Sequence, residues 1–269
     1  MSNLKSGSYD HIILGHYKKV AKNNGLDGRS SIEDQYIRKS ELECLSAEIE
    51  ILQKIHKKEL TVLDVGCGNG HTLATVSQRF PGCMFYGLEF SPDLFQLATS
   101  RKIPNVEIIH HDCRQEIPFN VNFDLIYTER VIINILNRKD QYIAVDNISK
   151  RLSPQGRYLA MESFRESLVE LNLARREMCL EDVSPSKHNL FLSEHFANKL
   201  ERFGLHRIPT AMPFNHMSTH FYVTRVFHKA IRPEGGKVKF SRMAQFFTEA
   251  LPPAIGNYSP IQFHLFEKR

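Results

Sequence analysis

At 269 residues, 42% hydrophobic and 24% charged, the chain is long enough to bury a core without disulfide or metal staples, and a collagen, a disordered tail and a mini-protein are excluded. Thirty-five Lys and Arg against 30 Asp and Glu leave a net charge of +5 with no run of five like charges, so the surplus reads as a solvated surface. No apolar stretch reaches the ~18 residues of a membrane span, and the odd set Cys44, Cys67, Cys83, Cys113 and Cys179, without a C-x-x-C pair, reads as reduced thiols of a cytoplasmic protein.

In chain order, residues 9–22 predict a short helix. Ser30-Ser31-Ile32-Glu33 has the form of a capping box and predicts a long helix from there to about His56. From Leu60 to Phe164, short apolar runs alternate with helix-like stretches. Strands are expected at 61–65, 84–90, 106–110 and 123–128. A fifth, at 157–164, follows the turn Ser153-Pro154-Gln155-Gly156. Helices are expected at 71–80, at 94–101 behind an N-cap Ser91 and Pro92, and where Ala144, Ile148 and Leu152 recur at i+4 spacing. Five strands in βα alternation predict an open doubly wound sheet. Beyond it, 165–180 and 193–203 read as helices, 221–231 is ambiguous between strand and helix, and 261–266 reads as a final strand. Residues 1–56 are expected to cap a single core over 57–269, with an acceptor-site insertion at about 165–260.

The sharpest feature is Val62-Leu63-Asp64-Val65-Gly66-Cys67-Gly68-Asn69-Gly70, a strand running into a glycine turn that opens a helix, where a ligand can approach the bare backbone. A phosphate-gripping loop needs Gly-Lys-Ser/Thr at its end, and Gly70-His71-Thr72 lacks the lysine. A dinucleotide turn, G-x-G-x-x-G, would need glycine where His71 stands, which disfavours a nicotinamide oxidoreductase. The remaining pattern, an acid followed by G-x-G-x-G, resembles the first motif of the class I S-adenosylmethionine-dependent methyltransferases. Further motifs follow in register. Glu89 stands 25 residues after Asp64, His111-Asp112-Cys113 follows the third strand, Phe123-Asp124-Leu125-Ile126-Tyr127 occupies the fourth, and Leu152-Ser153-Pro154-Gln155-Gly156 precedes the fifth. The last departs from the family's pattern at Gln155. The segments 32–41, 128–135 and 254–258 resemble bacterial methyltransferases associated with surface-polysaccharide and sugar modification.

The resemblance implies a Rossmann-like, mostly parallel seven-stranded sheet with an N-terminal helical cap and a C-terminal lid insertion, and S-adenosylmethionine as cofactor. It places Gly66, Cys67 and Gly68 at the methionine end, Glu89 and Phe90 at the ribose and adenine, and Asp112 and Cys113 at the adenine edge, with Asp64 and Thr128 as further cofactor-binding residues. Arg38 either pairs with the methionine carboxylate or makes a surface i,i+3 pair with Glu41. The sulfonium already activates the methyl group, so catalysis needs in-line positioning and, for an alcohol or amine, removal of a proton. Glu129, Glu162 and His188 are the candidate bases. Each has a plainer alternative: Glu129 as a partner of the cofactor's amino group or a cap of the next helix, Glu162 as an ion pair, His188 as a surface histidine. A phosphate or carboxylate acceptor needs no base. Neighbouring His110 and His111 converge poorly on one ion, so no metal is expected. The expected function is O-methylation of a sugar, glycan or related small metabolite. Phosphate, carboxylate or amine acceptors are the alternative. Nucleic acid is disfavoured, because Tyr127-Thr128-Glu129-Arg130 replaces the Asn/Asp-Pro-Pro-aromatic turn of base-amine methyltransferases. A homodimer is compatible with the class, although no sequence feature marks an interface.

Overall fold

A computed structural model describes residues 9–28, 32–232 and 241–269. Seven strands form one sheet in the order β3-β2-β1-β4-β5-β7-β6. They are β1 (Thr61–Val65), β2 (Met84–Glu89), β3 (Val106–His110), β4 (Phe123–Glu129), β5 (Leu152–Ser163), β6 (Leu205–Ile208) and β7 (Ile261–Lys268). β1 to β5 pair in parallel, and β7 runs antiparallel to both β5 and β6. The chain reverses between β1 and β4, so the carboxyl ends of β1, β2 and β4 meet at the point where such sheets bind ligands.

Residues of alternate parity in β1 and β4 enter opposite layers, as a pleated strand requires. Val62 and Leu125 pack with Leu45, Ile49 and Leu52 of α2 (Gln35–His56). Leu63 and Ile126 pack with Ala144, Val145 and Ile148 of α5 (Arg138–Arg151). The cap expected over residues 1–56 therefore divides. α2 is a buried layer of the core, whereas among the described residues of this region it is α1 (Asp10–Asn24) that lies over the strand ends. α3 (His71–Arg79) and α4 (Pro92–Ser100) complete the parallel half, α4 opening with Ser91 as N-cap and Pro92 in its first turn as predicted.

Several expectations change. α2 begins at Gln35, with Asp34 as its cap accepting from the Tyr36 N–H; Ser30 and Ser31 of the expected capping box lie outside the described residues. The ambiguous segment is helical throughout: α8 (Ser218–Tyr222), a π turn at Val223–Phe227 and α9 (His228–Ile231). The expected helix at 165–180 is α6 (Arg165–Glu177), and that at 193–203 is α7 (Glu194–Asn198) tightening into a 3-10 turn. β6 and α10 (Arg242–Ala250) carried no predicted element. No helix among the described residues is long and apolar enough to cross a membrane, and all five cysteines are free, Cys179 alone exposed.

Candidate active site

β1 delivers the chain into a turn in which Gly66, Gly68 and Gly70 all take the left-handed conformation, with φ of 78°, 59° and 74°. A side chain at Gly66 would put its Cβ 2.5 Å from Val131 Cγ2, so glycine is needed there for packing. At Gly68 a Cβ would meet nothing within 4 Å, because that face of the loop opens on a cleft. The Gly66 and Cys67 N–H groups donate to the Leu88 carbonyl, and the Gly68 N–H donates to Glu89 Oε2 at 2.7 Å. The Ser91 N–H donates to the other Glu89 oxygen, also at 2.7 Å. Burial pushes the Glu89 carboxyl above the usual carboxylate range, and these backbone donors pull it back.

The cleft encloses about 800 Å³, its solvent mouth included. Its floor brings together Gly66, Gly68, Glu89, Phe90, Asp112, Cys113 and Glu129, seven of the residues expected from sequence. Its roof is one stripe of α1, namely Asp10, Ile13, Tyr17 and Val20, at the 3–4 spacing of a helix face. Arg114 fastens roof to floor. Its guanidinium donates to both Asp10 oxygens at 2.9 and 3.0 Å and grips Asp112 at 2.6–2.9 Å. It also lies over the rings of Phe90 and Tyr9, 5.4 and 5.6 Å from their centroids. The Tyr9 hydroxyl in turn donates to Asp140 at 2.5 Å.

The other expected residues fall elsewhere. Asp64 is buried beneath the loop and accepts from the Tyr127 hydroxyl at 2.8 Å; burial and the charge of Glu129 push its carboxyl well up. The Cys67 side chain fills the space against Gly87, where burial pushes its thiol up, and Cys67 does not line the cleft. Thr128 points to the opposite face of β4, its hydroxyl 3.0 Å from that of Tyr158, and it does not line the cleft. Arg38 makes no surface pair with Glu41. It is 6% exposed, lies close enough to Glu129 for their charges to interact, and Glu41 instead bonds Arg130.

The candidate bases separate clearly. Glu162 is fully buried, and its two oxygens accept from the N–H groups of Val131, Ile132 and Ile133 at 3.0, 3.0 and 3.2 Å. It satisfies the orphan donors of a 3-10 turn rather than facing the cleft. His188 stacks on His16 of α1, ring centroids 3.8 Å apart, and does not line the cleft. Glu129 does line it, with Oε2 accepting from the Thr72 hydroxyl at 3.0 Å; burial raises its carboxyl and Arg38 offsets the rise. His110 and His111 contact different carbonyls, those of Phe90 and Glu116, each at 2.9 Å. Among the described residues no three metal-ligating side chains converge.

On the β4 side the cleft ends in residues the sequence did not single out. Arg130 takes a left-handed φ of 59°, its guanidinium bonded by Glu41 of α2. The Asn134 amide donates to the Arg130 carbonyl at 2.8 Å and to the Tyr17 hydroxyl at 2.6 Å.

Residues 62–156 match a family described as a methyltransferase domain. Trans-aconitate 2-methyltransferase of Escherichia coli is 26% identical over 140 residues, 52% of this chain and 53% of that protein, so the chain spans about half the length of the curated relatives it matches. Magnesium protoporphyrin IX methyltransferase of Synechocystis PCC 6803, solved with S-adenosylhomocysteine, superposes over 97% of this chain and 96% of its own with a TM-score of 0.58 at 11% identity. The N-methyltransferase NodS of Bradyrhizobium japonicum WM9, also solved with S-adenosylhomocysteine, covers 72% of this chain and 88% of its own with a TM-score of 0.51 at 16% identity. These two share the fold.

Proposed function

We propose that this S-adenosylmethionine-dependent methyltransferase transfers the methyl group to an oxygen of a small acceptor enclosed between the glycine loop and α1. The observation that carries the reading is Glu89, whose carboxylate stands at the end of β2 beside a Gly68 backbone open to the cleft. A carboxylate so placed can accept from two vicinal ribose hydroxyls. The open face at Gly68 fits a ligand passing close to the backbone.

In this reading Phe90 and Asp112 border the adenine, and Glu129 receives the methionine ammonium with Arg38 near its carboxylate. The cofactor supplies an activated methyl on a cationic sulfur. The protein's residues hold it in line with the acceptor and keep water out. α1 roofs the cleft, which suits a small metabolite better than a polymer. The sugar-hydroxyl acceptor expected from the flanking segments is one form of this function. A carboxyl acceptor is a second, suggested by the trans-aconitate enzyme that matches half the chain.

The test is transfer of labelled methyl from S-adenosylmethionine into the small-metabolite fraction of the source cell. Label in an oxygen-methylated small molecule is expected. Label confined to RNA or protein would contradict it.

A further inference from the structure

We infer that the acceptor is a phenol, an apolar ring whose hydroxyl oxygen takes the methyl group, seated against Tyr17 and Val20 of α1 and Val131 and Ile135 beyond β4. The inference rests on the proposed methyl transfer and specifies its acceptor.

The walls come first. Gly68, Glu89, Phe90 and Asp112 mark the adenosyl half of the cleft, after β1, β2 and β3. The turn after β4 contributes Val131, Asn134 and Ile135 to the other half. The Asn134 amide donates to the Tyr17 hydroxyl, which ties α1 to this turn and brings Val20, one helical turn on, to the same wall. The surface is aliphatic with one aromatic ring, which suits a ring laid flat or edge-on against it.

The charged groups of the cleft are already engaged. Arg114 is held by Asp10 and Asp112, and Arg130 is bonded by Glu41. Glu89 accepts from two backbone N–H groups and Glu129 from Thr72, and both serve the cofactor in the proposed function. A carboxylate acceptor would meet cations that carboxylates have already neutralised. A sugar would press several hydroxyls against aliphatic walls, where each polar group left unpaired is costly. One hydroxyl on an apolar ring asks for a single polar partner.

Tyr17 supplies it. The Asn134 amide nitrogen donates both to the Tyr17 oxygen at 2.6 Å and to the Arg130 carbonyl at 2.8 Å. A carbonyl can only accept, so this fixes which end of the amide faces Tyr17 and leaves the phenolic hydrogen for another acceptor. Burial and the charges of Glu89 and Glu162 push the Tyr17 phenol up to about 12, against the pull of Arg130 and the Asn134 bond. An ordinary phenol ionises near ~10, so the acceptor loses its proton before Tyr17 does, and Tyr17 donates to the phenolate. Such an acceptor needs no side-chain base, in keeping with Glu162 and His188 lying outside the cleft.

The reaction balances. The acceptor's proton passes to solvent water before transfer. The phenolate oxygen bonds to the methyl carbon as the carbon–sulfur bond breaks, that bond's electron pair staying on sulfur. The negative phenolate and positive sulfonium become a neutral aryl methyl ether and a neutral thioether.

Methyl-labelled S-adenosylmethionine is incubated with the full chain and small metabolites of the source cell, and the labelled product is isolated and treated with mild alkali. Label that survives alkali and sits on the oxygen of an aromatic ring is expected. Label released as methanol, or held by a product without an aromatic ring, overturns the phenol acceptor and leaves methyl transfer standing. Absence of any transfer overturns the methyl-transfer reading and this inference with it. With the acceptor in hand, the single-turnover rate should rise with pH as the bound phenol ionises. Tyr17→Phe should move that rise up by about one pH unit or more, the scale of a lost hydrogen bond to a charged oxygen. The Kd for S-adenosylhomocysteine should stay within about twofold, which also shows that the variant is folded. A rise that does not move, or a lost affinity for S-adenosylhomocysteine, overturns the assignment of Tyr17 to the acceptor.

Discussion

Arg114 and Asp10 face each other through two parallel hydrogen bonds of 2.9 and 3.0 Å, and this pair joins the roof of the cleft to its floor. Both side chains are mostly buried, at 13% and 10% exposure, so solvent screens the pair weakly. Asp10→Asn keeps the shape and removes the charge. S-adenosylhomocysteine should dissociate faster and bind roughly tenfold more weakly, since a charge-assisted hydrogen bond contributes about 1.5–3 kcal/mol. Stopped-flow release of the ligand checks this, and an unchanged rate would mean that α1 plays no part in retention.

Gly66 and Gly68 should respond differently to alanine. Both pay for a left-handed backbone, on the order of 1–2 kcal/mol. Gly66→Ala also drives a methyl into Val131, so its melting temperature should fall further than that of Gly68→Ala. Gly68→Ala places its methyl in the ligand's space and should lose ligand binding while staying folded. Thermal melts paired with calorimetric titration separate the two outcomes.

Glu162→Gln should weaken the fold rather than the chemistry alone. It replaces a carboxylate accepting three backbone N–H groups with an amide that has one oxygen. At about 1–3 kcal/mol for donors left short of a partner, the melting temperature should fall by several degrees. A variant with normal stability but no turnover would restore Glu162 as a base.

Acid should loosen the roof through His16 and His188. Burial depresses both imidazoles below their ordinary value of 6.5, and Lys19 adds to the effect at His16. The unfolded chain then binds more protons than the folded one once the pH drops below about 6.5, so stability falls with pH. Two stacked rings, both charged, would also repel across the contact between α1 and the 188 loop. Melting temperature measured from pH 8 to 5 should decline, and His188→Asn should decline less steeply. Parallel slopes would remove the pair from the account.

The parts of the site that were legible in the sequence are contiguous. A glycine turn, the acid at the end of the next strand and the acid after the third are each fixed by local chain geometry, and Gly68, Glu89 and Asp112 do meet in one cleft. Thr128 lies outside the cleft because strand parity turns its side chain to the other face of β4 from Glu129. Glu162 lies outside it for another reason. A carboxylate at a strand end can face a ligand or bind orphan N–H groups, and the 3-10 turn that supplies those groups forms only when β4 and β5 pair. Arg114, Arg130 and Asn134 also bond partners in α1 or α2 roughly a hundred residues away, which no local pattern reveals. The stripe itself, Asp10, Ile13, Tyr17 and Val20, was present in the sequence as helix periodicity mixing acid, aromatic and aliphatic residues.

The most direct test of the adenosyl site is calorimetric titration of the full chain with S-adenosylhomocysteine. Micromolar binding by the natural chain, lost in Glu89→Ala without loss of folding, is the predicted result. Tighter binding of NAD, or affinity unchanged by Glu89→Ala, would contradict it.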